Sequence, residues 1–138
     1  MSVVKSKRGE GQLVVLTKAS ELAVYSIKIC SNEKCFPKRY RWCITNKIVD
    51  AAVEISNNAV MANSVFVKDE FDYKLRKQYQ TKALSSTYAL LSMIDMAYRV
   101  FGIEAGRIEH WTRLTVEAQT MLRNWRKTDI ERYKSLDK

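Results

Sequence analysis

Apolar residues recur at intervals of three and four along most of the chain, the spacing that lines one face of an α-helix. Over residues 12–31 the stripe is Leu13, Leu16, Ser20, Ala23, Ile27 and Cys30, and Ser31-Asn32-Glu33 closes it. Pro37 opens a second segment, since its fixed φ and missing N–H suit a helix's first turn. From there Tyr40, Ile44, Ile48, Ala51, Ile55, Ala59 and Ala62 keep the spacing, uninterrupted, to about Asn63 or Ser64. Val49, Ala52, Val53, Val60 and Met61 add apolar surface beside this stripe, more than one buried face requires. A third segment opens at Lys68-Asp69-Glu70, where acids suit a helix N-terminus. It carries Phe71, Leu75, Tyr79, Leu84, Tyr88, Leu91, Ile94, Tyr98 and Phe101, with Gly102 placed as the C-terminal cap. The fourth runs from about Gly106 with Ile108, Trp111, Leu114, Ala118, Met121 and Trp125 on one face.

Four amphipathic helices with short connections predict an all-α fold, an antiparallel up-and-down four-helix bundle. The domain spans residues 12–134, between a flexible basic arm over residues 1–11 and a frayed tail over 135–138. Composition agrees. In 138 residues there are only 4 Gly and 1 Pro, too few for the many tight turns of an all-β sandwich, while 46% hydrophobic content suffices for one packed core. No apolar run reaches the roughly 18 residues of a membrane span. The basic, polar start lacks a signal peptide's apolar region.

The chemistry inventory is short. Gly-rich phosphate loops, nucleophile elbows and Glu-x-x-His pairs are all missing, so no catalytic residue and no cofactor is expected. Three cysteines, Cys30, Cys35 and Cys43, and one histidine, His110, lack the spacing of a zinc site. The thiols either approach one another across the first turn or serve as small half-buried apolar groups. An odd set of free thiols suits a reducing cytoplasm. His110 reads as a surface or core-edge residue, and Trp111 and Trp125 as core.

Charge supplies the functional clue. Lys plus Arg number 24 against 15 Asp plus Glu, a net +9, a balance common in proteins that meet nucleic acid or an anionic surface. Much of it is ordinary: Glu70 with Lys74, Asp72 with Arg76, Asp95 with Arg99 and Glu109 with Arg113 sit one helical turn apart. Arg123, Arg126 and Lys127 lie towards a helix C-terminus, where cations are favoured. Residues 34–47 differ, carrying Lys34, Lys38, Arg39, Arg41 and Lys47 without an acid. Three of these five fall at a helix start, where the dipole disfavours cations and free N–H groups add to an anion site. One reading is a site for phosphate or an acidic partner, the other a basic surface turn kept for solubility. Lys5, Lys7 and Arg8 extend the patch in the first reading. Tyr40 and Trp42 adjoin it, where an aromatic ring can stack on a base.

The segments Leu16–Leu22 (Leu-Thr-Lys-Ala-Ser-Glu-Leu), Phe36-Pro37-Lys38 with Arg41, Ala51-Ala52-Val53-Glu54-Ile55 with Asn58, and Ala83–Leu91 together resemble a known family. It is the four-helix-bundle family of 23S rRNA intervening-sequence proteins, and the resemblance covers roughly residues 12–127. The family usually follows the second-helix Ile-Ser with Pro and then Asn-Ile-Ala-Glu-Gly. Here Ser56-Asn57-Asn58-Ala59-Val60-Met61 follows. The longer second helix and the Trp-bearing fourth are more similar to the Avd (accessory variability determinant) branch of diversity-generating retroelements. That resemblance implies a ring-like homo-oligomer, a pentamer, that binds a reverse transcriptase and its RNA or cDNA during mutagenic retrohoming. Of the family's contacts only Phe36-Pro37-Lys38 and Arg41 carry over. The resulting expectation is a non-enzymatic accessory protein holding nucleic acid through Lys34, Lys38, Arg39, Arg41 and Lys47. The alternative is a protein–protein scaffold of the same bundle family with no direct nucleic-acid role.

Overall fold

The computed structural model describes residues 7–137, with side chains from Val14 onward. Four helices run up and down: α1 (Lys7–Ser31), α2 (Asn46–Ser64), α3 (Glu70–Phe101) and α4 (Ala105–Arg132). Each packs against its sequence neighbours, α2 on α3 most extensively, and α4 returns to α1 to close the bundle. No described helix is long and apolar enough to cross a membrane. Met1–Ser6, and with them Lys5 of the expected arm, lie outside the described residues.

Helix ends follow local chemistry. Asp69 caps α3 by accepting a 2.9 Å hydrogen bond from the Asp72 amide. Gly102 ends it at φ 62°, in the left-handed region only glycine enters without cost. Helix α1 begins at Lys7, earlier than its stripe predicts. Residues 7 and 8 therefore stand a helix length, roughly 35 Å, from the α1–α2 connection and do not extend its basic patch.

The core is a set of heptad seams. Val15, Ala19, Leu22, Ser26 and Ile29 line α1, and Ile48, Ala52, Ile55, Ala59 and Ala62 line α2. Tyr73, Arg76, Gln80, Ala83, Thr87, Leu90, Ile94 and Ala97 line α3. Trp111, Thr115, Ala118, Leu122, Trp125 and Asp129 line α4. Alternating steps of three and four average 3.5 residues, the spacing of knobs-into-holes packing between nearly antiparallel helices. Each buried Leu or Ile contributes about 1.5–3 kcal/mol.

These seams correct the expected stripes in α1 and α3. Ile27, Tyr88 and Tyr98 face solvent, and Phe71 is 72% exposed. Val60 and Met61 beside the α2 seam are exposed as well. Several polar seam positions bond between helices. Trp111 Nε1 donates to Ser26 Oγ at 2.8 Å, and Ser26 donates to Leu22 O. Gln119 Nε2 reaches Thr87 Oγ1 at 3.1 Å. Arg76, paired with Asp72 in the sequence reading, is buried and instead bonds Asp129 of α4, which also accepts from Gln80 Nε2 at 2.8 Å. Asp72 accepts from the Lys68 amide.

Surface pairs divide likewise. Glu70–Lys74 (3.1 Å) and Asp95–Arg99 (3.7 Å) form as expected. Arg113 turns to His110 Nδ1 rather than to Glu109. Because α4 continues to Arg132, Arg123 and Arg126 are not in its last turn. They bridge to α3, through Tyr88 Oη and Thr81 Oγ1.

Candidate nucleic-acid interface

The candidate residues sit on the α1–α2 connection at one end of the bundle, or in the first turn of α2. A tight turn starts the connection: Asn32 O accepts from the Cys35 and Phe36 amides, and Asn32 Oδ1 from the Lys34 amide. Phe36 then drops into the core, 3% exposed, edge-on to Phe101 (5.3 Å) and Trp111 (6.0 Å). Its burial anchors the whole connection to α3 and α4.

Beyond Pro37 the chain enters α2 in two irregular turns, a 3₁₀ turn (Lys38–Tyr40) and a π turn (Arg41–Thr45). The π turn resolves a conflict of phase. The α2 seam traced backwards from Ile55 through Ile48 reaches buried Thr45, and one more α-helical step of four would place Arg41 in the core. The wider π turn inserts one residue, so Tyr40 takes the inward place and tilts against Phe101 at 5.1 Å. Arg41, Trp42 and Cys43 are thrown outward, all exposed. Regular α-helix begins only at Asn46. Lys38, Arg39 and Arg41 thus precede the helix that carries the dipole, and of the five cations only Lys47 lies in its first turn. The expected array of free amides also shrinks, since those of Tyr40 and Arg41 donate to Pro37 O and Lys38 O.

All five predicted residues, Lys34, Lys38, Arg39, Arg41 and Lys47, are exposed. Lys38 meets Glu33, just outside the acid-free run, at 3.0 Å. Both side chains are more than 60% exposed, so solvent screens the pair and a phosphate can compete for the ammonium. Among the described residues the other four form no ion pair with a carboxylate. The two aromatic candidates separate. Tyr40 is enclosed by Phe101 and by the Arg39 guanidinium, 5.2 Å from its ring centroid, whereas Trp42 is 83% exposed.

The thiols divide as well. Cys30 and Cys35 are buried and Cys43 is exposed on the π turn. Burial, with a smaller contribution from Cys35, pushes the Cys30 thiol up to about 12. Since the thiolate is the nucleophile, Cys30 is inert near neutrality. Mass spectrometry after brief iodoacetamide treatment at pH 8 is expected to find Cys43 modified and Cys30 and Cys35 intact. Fast modification of either buried thiol would show that the connection does not stay closed over the core. Among the described residues, no group of three His, Cys, Asp or Glu side chains comes together to hold a metal ion.

A second surface lies along the bundle. Leu16, Val24, Tyr25, Val60 and Leu114 line an open, largely apolar groove over α1, with α2 and α4 on its sides. Compared with family models, characterised proteins and solved structures, the chain matches none.

Proposed function

We propose that this chain is a non-enzymatic accessory protein that holds RNA or cDNA on the basic connection while associating with a reverse transcriptase, in the manner of the Avd-like proteins of diversity-generating retroelements. The observation that carries the reading is the connection itself, five exposed cations on one short acid-free segment, of which only Lys38 pairs with a carboxylate among the described residues. The likeness in Phe36-Pro37-Lys38 and Arg41 supports it, and so does the net charge of +9. The mechanism is electrostatic. Each phosphate held by Lys or Arg releases counterions, which makes binding steeply salt-dependent. A ring of subunits, a pentamer in the branch this chain resembles, would multiply weak sites by avidity. Free thiols fit a cytoplasmic location.

The test is the salt dependence of binding to an unstructured RNA oligonucleotide. Five phosphate contacts predict a slope of log K against log salt near −3.5, roughly a 100-fold loss between 50 and 200 mM. Replacing Lys34, Lys38, Arg39, Arg41 and Lys47 by Gln is expected to flatten that slope. An unchanged slope in the substituted protein removes the site. The groove over α1 favours a second reading, the scaffold, in which a protein partner covers that apolar surface. A reverse transcriptase retained after nuclease treatment, by a chain whose RNA binding is negligible, supports the scaffold instead.

A further inference from the structure

We infer that Trp42 stacks on an unpaired base, so that the basic connection selects single-stranded over duplex nucleic acid; this deepens the reading above and rests on it. Three large aromatic side chains are more than 70% exposed: Trp42, Phe66 and Phe71. The two phenylalanines flank the start of α3, where Asp69, Glu70 and Asp72 outnumber Lys68 and Lys74 and the net charge repels phosphate. Trp42 alone of the three lies on a basic stretch without an acid, next to Arg41 and a few residues from Lys38 and Arg39. Its exposure does not come from a general opening of the connection. Phe36 on one side is buried and Thr45 on the other is 7% exposed.

The π turn gives the outward direction a structural cause. It shifts the helical phase by one residue, which keeps Arg41 out of the core and carries Trp42 out with it. Tyr40 cannot share the role, because Phe101 and Arg39 already occupy its surroundings. What stands free is one indole on a segment that also presents exposed guanidinium and ammonium groups. Base-on-aromatic stacking with cations tracking the backbone is the combination by which proteins hold single strands. A duplex offers the same phosphates but keeps the faces of its bases stacked on one another, so Trp42 adds nothing there. Stacking tolerates any base, and the preference is for unpaired chain rather than for a sequence.

The experiment compares wild type, Trp42→Ala and Trp42→Phe on a 12-nucleotide oligo-U, a 12-nucleotide oligo-dT and a 30-base-pair duplex. Trp42→Ala is expected to weaken oligo-U and oligo-dT about tenfold while changing duplex affinity less than twofold. Trp42→Phe is expected to recover most of the loss, since a phenyl ring still stacks. A larger loss on oligo-U than on oligo-dT would assign the single strand to RNA, and the reverse to cDNA. Trp42 makes no core contact that the substitution would remove, being 83% exposed, and circular dichroism of the variant checks that the fold is kept. An equal loss on duplex and single strands, or no loss on either, overturns the stacking role while leaving the phosphate site standing. Failure of the wild type to bind any of the three polymers overturns the phosphate site and the stacking role together.

Discussion

Replacing Asp129 by Ala is expected to destabilise the bundle by about 3–5 kcal/mol, the range for removing one partner of a buried ion pair. Asp129 is 1% exposed and Arg76 5%. The carboxylate accepts from Arg76 Nε at 2.5 Å and from Gln80 Nε2 at 2.8 Å, and Arg132 approaches it at 3.7 Å. Without it the Gln80 amide has no acceptor and the buried guanidinium keeps only a long bond to Val65 O at 3.5 Å. For a chain of this length the melting temperature should fall on the order of 10–20 °C, readable by circular dichroism. Asp129→Asn keeps an acceptor for Gln80 but removes the charge, and should fall in between. The decisive companion is Arg76→Met with Asp129→Leu. Among the described residues Tyr73 Oη, Gln80 Oε1 and Trp125 Nε1 already lack partners, so the network is only partly satisfied. Exchanging the pair for apolar groups removes the unpaired guanidinium but still leaves the Gln80 amide without its acceptor, so it should recover part of the stability, short by the cost of one buried amide. A double variant as unstable as Asp129→Ala would mean that the pair contributes more than its mutual compensation. A shift of only a few degrees in Asp129→Ala would mean that the site is wet.

That ion pair also explains how far the fold was legible. The number, order and approximate limits of the helices follow from the three-and-four spacing, from Pro37, from the acids at Asp69-Glu70 and from Gly102. Which face of α3 points inward does not. Its seam passes through Arg76, Gln80 and Thr87, and an apolar count slides instead to Phe71, Tyr88 and Tyr98. Arg76 had a plausible partner one turn away in Asp72, and only the tertiary arrangement brings Asp129 nearer. In α1 the same slip hides Ser26, whose burial depends on the Trp111 indole. A signal was available, since Ala83, Leu90, Ile94 and Ala97 keep the 3.5-residue spacing and need only tolerate polar residues between them.

The candidate site was legible for the opposite reason. Five cations on a short segment cannot be buried without partners, so their exposure follows from desolvation alone. Their local backbone did not follow. Nothing in the run from Lys38 to Thr45 announces a π turn until the α2 seam is known, because only then does the step of five from Tyr40 to Thr45 stand out against steps of three and four. A dipole penalty at the helix start falls on Lys47 and not on Lys38, Arg39 or Arg41, so their presence is explained by outward presentation rather than by tolerated strain. The two ends of the bundle thus differ in kind. One has a polar interior around Asp129; the other has an aromatic interior beneath a basic surface.

The aromatic end yields the second large effect. Trp111 is the largest fully buried side chain, 0% exposed, and it supports Phe36 at 6.0 Å and Tyr25 at 6.3 Å. Trp111→Ala should cost about 3–5 kcal/mol, nearly all of it from the cavity. The lost hydrogen bond contributes little, because Ser26 keeps its own bond to Leu22 O. The reciprocal change separates the two contributions. Ser26→Ala leaves Trp111 Nε1 buried without an acceptor and should cost about 1–3 kcal/mol, less than the truncation. Trp111→Phe, which fills most of the space, should cost less than Trp111→Ala too. The consequence reaches the surface, since Phe36 holds the connection down and Trp111 is half of its seat. In Trp111→Ala the amides of residues 33–45 should exchange faster than those at the start of α3, and Cys35 should become open to iodoacetamide. Uniform acceleration through the whole bundle would instead place Trp111 in a single cooperative core, with no special hold on the segment that carries the cations.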